Sequence, residues 1–282
     1  MSNLPVRTDE IKKGLAVAHK QIKSLLQDEK RANRFTATAL SIATDRNLAA
    51  CSPESIIGCC VAAAQLDLNI DKNMGQVYVV PYKSKTTGST VAQLQIGYRG
   101  YIVLLNRLGW KAKAFPVYST DEFDYEFNGW DETIRYEPDF EARETESNKW
   151  VYDNLEKVFT AIKSPEGEVF YNIMSKSEIE KIRQKSQNQG AQPSNIWFEW
   201  YETMAIKTAL KRHIKRLPIG DSVQTVVAID EAPDKGKPID TRKSVEDGTV
   251  IDAELTTDGS DDVDLNAMVM TKQGADQEIE TT

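Results

Sequence analysis

The sequence predicts an α+β protein: a small antiparallel sheet with packed helices, followed by a disordered acidic C-terminal tail. Three observations predict it. Segments with apolar residues at helical spacing alternate with short β-branched and aromatic runs, and strands interleaved with segregated helices favour an antiparallel sheet. Several of those runs flank turn-forming residues, as hairpins require. Beyond about Ile229 aromatic residues cease and Asp, Thr, Gly and Ser dominate, a composition that buries too little apolar surface to offset its ordering entropy.

The elements follow in order. Ile11, Leu15, Ala18, Ile22, Leu25 and Leu26 predict a helix over 10–30, and the same spacing predicts another over 35–48. Ser52-Pro53-Glu54-Ser55 opens a third, with Ser52 as N-cap, running to about Leu68. Gln76 to Tyr82 is a strand, Lys83 to Thr90 turns the chain, and Val91 to Ile96 returns as the second arm of a hairpin. Tyr98 to Arg107 reads as a helix closed by Gly109. Further strands are expected at 111–118, 123–127, 158–163 and 169–173, the last two joined by Pro165-Glu166-Gly167. Ser175 to Lys185 is helical, 184–194 is a polar loop, and a long helix runs from about Ile196 to Leu217, ending at Pro218.

The chain has 282 residues, 40% apolar and 28% charged, as in soluble globular proteins. No window approaches a membrane span, and Met1 to Glu10 holds no apolar signal region. Cys51, Cys59 and Cys60 are odd in number and two are adjacent, so a reducing, cytoplasmic setting is expected rather than a disulfide framework. The net charge of −8 is uneven: 231–282 carries 14 acids and 5 bases, leaving 29 acids and 30 bases before it. The body is neutral and must be read for local patches.

Enzyme signatures are missing. There is no G-x-x-x-x-G-K-[ST], no G-x-G-x-x-G and no G-x-S-x-G. His19 and His213 lie far apart without a neighbouring cysteine, so no metal is expected, and His213 on a basic helix reads as a surface or phosphate-facing residue. Pro138-Asp139 has no downstream Glu-x-Lys partner. Asp121, Glu122, Asp124 and Glu126 interleave with Phe123, Tyr125 and Phe127. This pattern fits either a Mg²⁺ site or, in the favoured reading, a solvated strand face opposite three packed aromatics.

The strongest feature lies between Trp197 and Pro218. Lys207, Lys211 and Lys215 fall at i, i+4 and i+8, Arg212 and Arg216 form a second stripe, and Ile206, Leu210, Ile214 and Leu217 make an apolar face. Half of residues 207–216 are cationic and none is acidic, which points to a polyanion. Trp197, Trp200 and Tyr201 precede the block; aromatics beside cations suit single strands, because every base offers a π-face. For each Trp alone a core position is the simpler reading. Tyr98-Arg99, flanked by Gly97 and Gly100, with Arg107, Lys111 and Lys113, forms a second basic and aromatic group. The glycines allow close approach of another backbone. Five phosphate contacts to a single strand give a log–log salt slope of roughly −3.5. The acidic tail is expected to compete with DNA for the same groove.

Ile96-Gly-Tyr-Arg-Gly100 after the hairpin, Gly75-x-x-Tyr78-x-x-Pro81-Tyr82 before it, Asp121-Glu122-Phe123, and the W-x-x-W-x-E-x-M-x-x-K-T-A-x-[KR]-R block ending in Leu217-Pro218 resemble, in order, the phage RecT single-strand annealing proteins. The resemblance covers about residues 35–230. It implies a Rad52/Redβ-like annealing core at 35–230, an N-terminal helical segment at 1–34 that makes oligomer contacts, and the tail at 231–282. It further implies an ATP-independent recombinase in the bacterial cytoplasm that needs no cofactor, Mg²⁺ being at most modulating. Such a protein coats single-stranded DNA, holds the annealed duplex and assembles into rings or helical filaments. The implied partners are a phage 5′→3′ exonuclease of the RecE kind and the host single-strand binding protein. Carried onto this chain, the DNA-binding residues are Tyr98, Arg99, Arg107, Lys111, Trp200, Lys207, Lys211, Arg212, Lys215 and Arg216. Three rivals stand beside this reading: a nucleic-acid coating module without annealing activity, a metal nuclease using Asp121, Glu122 and Asp124, and a structural oligomer whose basic helix binds an acidic neighbour or its own tail.

Overall fold

The computed structural model describes residues 4–83, 88–185 and 196–220, together with Val223, Val226, Val227 and Asp230. The predicted disordered tail, the tip of the first hairpin and most of the polar loop lie outside the described residues. The α+β class holds, but the strands form three small antiparallel sheets rather than one.

The N-terminal part is helical. α1 spans Leu4–Leu26 and α2 spans Glu29–Ala43, so the break falls earlier than the sequence predicts. Gln27 takes a left-handed φ of 53°, and the Asp28 carboxylate accepts the Arg31 N–H at 3.0 Å, capping α2. Residues 46–48, predicted as the last turn of that helix, form a 3₁₀ turn capped by Asp45. Ile11, Leu15, Ala18, Ile22 and Leu26 are buried as α1 packs on α2 and on α3, Pro53–Gln65. Residue 34 lies inside α2. Ser52 caps α3 as predicted, at 3.3 Å from the Ser55 N–H. Ser55 Oγ accepts the Ala92 N–H at 2.9 Å, which fastens α3 to the first hairpin.

That hairpin pairs β1, Val77–Lys83, with β2, Thr90–Ile96. α4, Tyr98–Arg107, follows at once. A Cβ at Gly97 would lie 2.2 Å from the Gly75 carbonyl oxygen, and one at Gly100 would lie 2.3 Å from that of Gln76. The close approach read from these glycines is therefore real, and the approaching backbone is the chain's own. Gly109, at φ +80°, ends α4, its N–H donating to Asn106 O at 3.1 Å while Trp110 N–H donates to Leu105 O at 3.0 Å.

The C-terminal part is built on a three-stranded sheet in the order β3-β6-β7: β3 is Lys111–Tyr118, β6 Leu155–Lys163 and β7 Val169–Ser175. β4, Glu122–Asn128, and β5, Asp131–Glu137, form a separate two-stranded ribbon. β5 escapes a hydrophobic-pattern reading because the ribbon has little to bury; Asn128-Gly129, with Gly129 at φ +66°, is its local signal. α5, Asn148–Asn154, is too short to show periodicity, though Ser147 caps it at 3.3 Å from Trp150 N–H.

α6 is Lys176–Lys185. The predicted long helix is α7, Ile196–Glu199, then α8, Tyr201–Ile214, with Trp200 between them at φ −128°, ψ 39°. Trp200 N–H still donates to Ile196 O at 3.0 Å, and Met204 N–H to Trp200 O at 2.9 Å, so the ladder continues across the break. α8 covers one face of the three-stranded sheet. Trp197, Tyr201, Ala205 and Ala209 join Tyr118, Leu155, Val158, Met174 and Ile179 in one core cluster. Leu210, Ile214 and Leu217 are buried as the predicted apolar face requires.

His213 corrects the sequence reading. It is buried, its Nδ1 2.7 Å from Thr160 Oγ1 on β6. Burial, helped by Arg216, holds its pKa down at about 4, so the ring is neutral at pH 7. The unfolded chain takes up this proton near pH 6.5. The contribution of His213 is therefore fully present above that pH and is lost as pH falls towards 4, by about 3 kcal/mol at most. Urea denaturation across this window should show wild type losing more stability than His213→Gln; parallel curves would refute the assignment. Separately, Gly100→Ala should destabilise by about 1–3 kcal/mol in the same measurement at pH 7, because its methyl meets a backbone carbonyl that cannot move aside.

Candidate nucleic-acid interface

The lysine stripe of α8 does not run uninterrupted along a solvent face. Lys207 Nζ lies 3.3 Å from Asp230 Oδ1, and Lys211 Nζ lies 3.1 Å from Oδ2. The lysine side chains are 15% and 16% exposed and the carboxylate 1%. The same carboxylate accepts the Ile96 N–H at 2.8 Å and the Tyr101 hydroxyl at 3.0 Å. Burial alone would push the Asp230 carboxyl up. Lys207 and Lys211, with the Ile96 N–H, outweigh it and hold it below the ordinary carboxylate range. The acid that balances this all-cationic block comes from outside the helix, at the border of the predicted tail. No local pattern around residue 230 marks it.

The rest of the predicted set is dispersed. Lys215 and Arg216 are exposed past the end of α8, Arg216 donating to Asn172 Oδ1 at 3.0 Å. Arg212 pairs with Glu178 at 2.6 Å. Trp200 is 59% exposed at the opposite end of α8, roughly 20 Å away at 1.5 Å per residue. Trp197, by contrast, is core. Arg99 is exposed at the start of α4 with its stem against Gly75; Tyr98 is half-buried beside it. Tyr78, 41% exposed, packs on the same turn. Arg107 donates to Leu66 O at 2.7 Å and pairs with Asp67 at 3.0 Å, so it closes the end of α3. Lys111 is exposed on β3, with Nζ 3.3 Å from Asn106 Oδ1.

The acidic strand is not assembled as a metal site. The Asp121 side chain is fully buried and accepts from Arg143 at 3.1 and 2.6 Å, from Tyr118 N–H at 2.9 Å and from Asp139 N–H at 3.2 Å. Burial pushes its carboxyl up, and these hydrogen bonds more than reverse that. The guanidinium of Arg143 also lies 4.9 Å from the Tyr118 and Phe140 ring centres. Asp121 thus anchors the ribbon and the loop after it, with its oxygens already occupied. No metal-binding group of acids, histidines and cysteines occurs among the described residues. The expectation of three packed aromatics is met only at Phe123. Tyr125 is 39% exposed and Phe127 62%.

No helix among the described residues is long and apolar enough to cross a membrane. The sequence model of the RecT family matches residues 33–247. The chain is 32% identical over 229 residues to the uncharacterized protein YqaK of Bacillus subtilis, covering 80% of this chain and 72% of that one. It is also 32% identical over 185 residues to protein RecT of Escherichia coli, covering 64% of each, so the chain spans a little under two thirds of that relative. The chain belongs to the RecT family, a family of single-strand DNA annealing proteins rather than enzymes.

Proposed function

We propose that this protein binds single-stranded DNA, assembles along it and anneals complementary strands in homologous recombination, without ATP. Family membership over three quarters of the chain carries this reading. The physics is simple. Two single strands repel along their phosphates. A continuous row of cations on an assembled protein removes that barrier and leaves bases free to test their pairing. Matched pairing supplies the free energy, so no nucleotide needs to be hydrolysed. In this reading the core is of the Rad52/Redβ kind, the assembly is a ring or helical filament, and 1–34 takes part in subunit contacts. The setting is the bacterial cytoplasm, with a RecE-like exonuclease and the host single-strand binding protein as partners. Mg²⁺ modulates at most.

The DNA-facing residues we assign are Tyr98, Arg99, Lys111, Trp200, Arg212, Lys215 and Arg216. Arg107, Lys207 and Lys211 hold the fold. A coating module without annealing activity remains the rival that shares this surface. Energy transfer between two labelled complementary oligonucleotides separates them. Wild type should accelerate pairing without ATP, non-complementary strands should give no signal, and Lys215→Ala/Arg216→Ala should anneal about tenfold more slowly at moderate salt. Binding without acceleration would leave only the coating reading.

The role given to Lys207 and Lys211 has its own test. Asp230→Asn removes the carboxylate that pairs with two largely buried ammonium groups and should cost about 3 kcal/mol of stability, read from urea denaturation. Lys211→Met should likewise weaken the fold more than it flattens the salt dependence of DNA binding. Unchanged stability with a flatter salt slope would return these lysines to the DNA.

A further inference from the structure

The three-stranded sheet has a second face, away from α8. Thr160, facing His213, and the buried Val158, Ile162 and Met174 mark the covered side. Alternation puts their neighbours on the other side. There Lys111 is directly opposite Lys163, which is opposite Val169; Lys113 is opposite Ala161, which is opposite Tyr171; and Phe115 is opposite Phe159. The three lysines are exposed and Tyr171 half-exposed. Among the described residues no carboxylate comes within ion-pair distance of any of the three. Like charges directly opposite across two strands repel, and no carboxylate among the described residues pairs with them.

The ribbon borders this same face. Phe123 and Tyr136 rest on Phe115 and Phe159, with ring centres 5.1–6.0 Å apart for the Phe115–Phe159, Phe123–Phe159, Tyr136–Phe159 and Phe115–Tyr136 pairs. Along β4, Tyr125 and Phe127 continue the aromatic side beyond these contacts, while Glu122, Asp124 and Glu126 alternate onto the other side. One acid, Glu132, pairs across from Phe127 on the aromatic side. A lysine row and an open aromatic stripe therefore border one sheet face, with most of the ribbon's acids turned away.

We propose that this face is a single-strand nucleic-acid binding surface in which Lys111, Lys113 and Lys163 neutralise phosphates and Tyr125, Phe127 and Tyr171 stack bases. It rests on the DNA-binding reading above and extends it to residues on the sheet and ribbon. Cations that follow a backbone, with aromatics that take any base, give binding tolerant of sequence.

The test is fluorescence anisotropy of a labelled oligothymidylate on the full chain over a salt series. Lys113→Ala/Lys163→Ala should bind more weakly and lower the magnitude of the log–log salt slope by about 1.4, at roughly 0.7 per phosphate contact. Tyr125→Ala/Phe127→Ala should lose about 30-fold or more in affinity with the slope unchanged, because stacking releases no counterions. Arg46→Ala/Lys181→Ala, exposed cations elsewhere with the same change in net charge, should match wild type. Wild-type affinity and slope in both the lysine and the aromatic variants would overturn this assignment while leaving the annealing reading standing. Failure of wild type to bind the oligonucleotide would overturn both.

Discussion

One buried carboxylate ties the molecule together. Asp230 accepts from Lys207 and Lys211 on α8, from the backbone of Ile96 at the end of β2, and from the hydroxyl of Tyr101 on α4. These elements belong to different parts of the chain, and this one carboxylate joins all three. A buried charge without partners is costly, and a buried charge with four donors is specific about where those donors stand. The hydrophobic cluster seats α8 on the sheet, and satisfying Asp230 then fixes the end of the hairpin and α4 against α8. The two lysines are held by the same requirement.

The consequence for recognition is a division of labour within a single cationic helix. Its inward lysines are consumed by the fold, while Lys215 and Arg216, just past its end, face solvent. A net count of charge on the helix does not distinguish these roles; burial does. The same holds for Arg107, whose guanidinium covers the carbonyls at the end of α3, and for Asp121, whose oxygens are taken by Arg143 and two backbone amides.

Much of the architecture was legible in the sequence. Ser52 and Gly109 mark helix ends through caps whose chemistry is local, and Gly167, at φ +101°, marks the predicted turn between β6 and β7. The apolar face of α8 was legible because periodicity reports burial. What escaped was set by tertiary partners. The ribbon strand β5 buries too little to show a pattern, α5 is too short to show one, and the split at Gln27 and Asp28 rests on one left-handed residue and one cap. His213 looked solvent-facing among cations and is core because Thr160 meets it from a distant strand. The motifs marked the basic block in the chain, but that the fold holds Lys207 and Lys211 was not legible there, because their partner Asp230 lies outside the helix.

On the annealing reading proposed above, the arrangement of the sheet bears on how strands would be paired without nucleotide hydrolysis. A strand-annealing surface must hold phosphates firmly enough to cancel their repulsion, yet release the product once pairing is complete. Contacts made by exposed lysines on a strand face are individually weak and salt-screened, so each is exchangeable. The Asp230 and Asp121 carboxylates are buried instead, and they tie α8 to α4 and the hairpin, and the ribbon to the loop after it. Rigid interior ties and loose surface charges are opposite uses of the same residue types, and in this chain they are separated by burial alone.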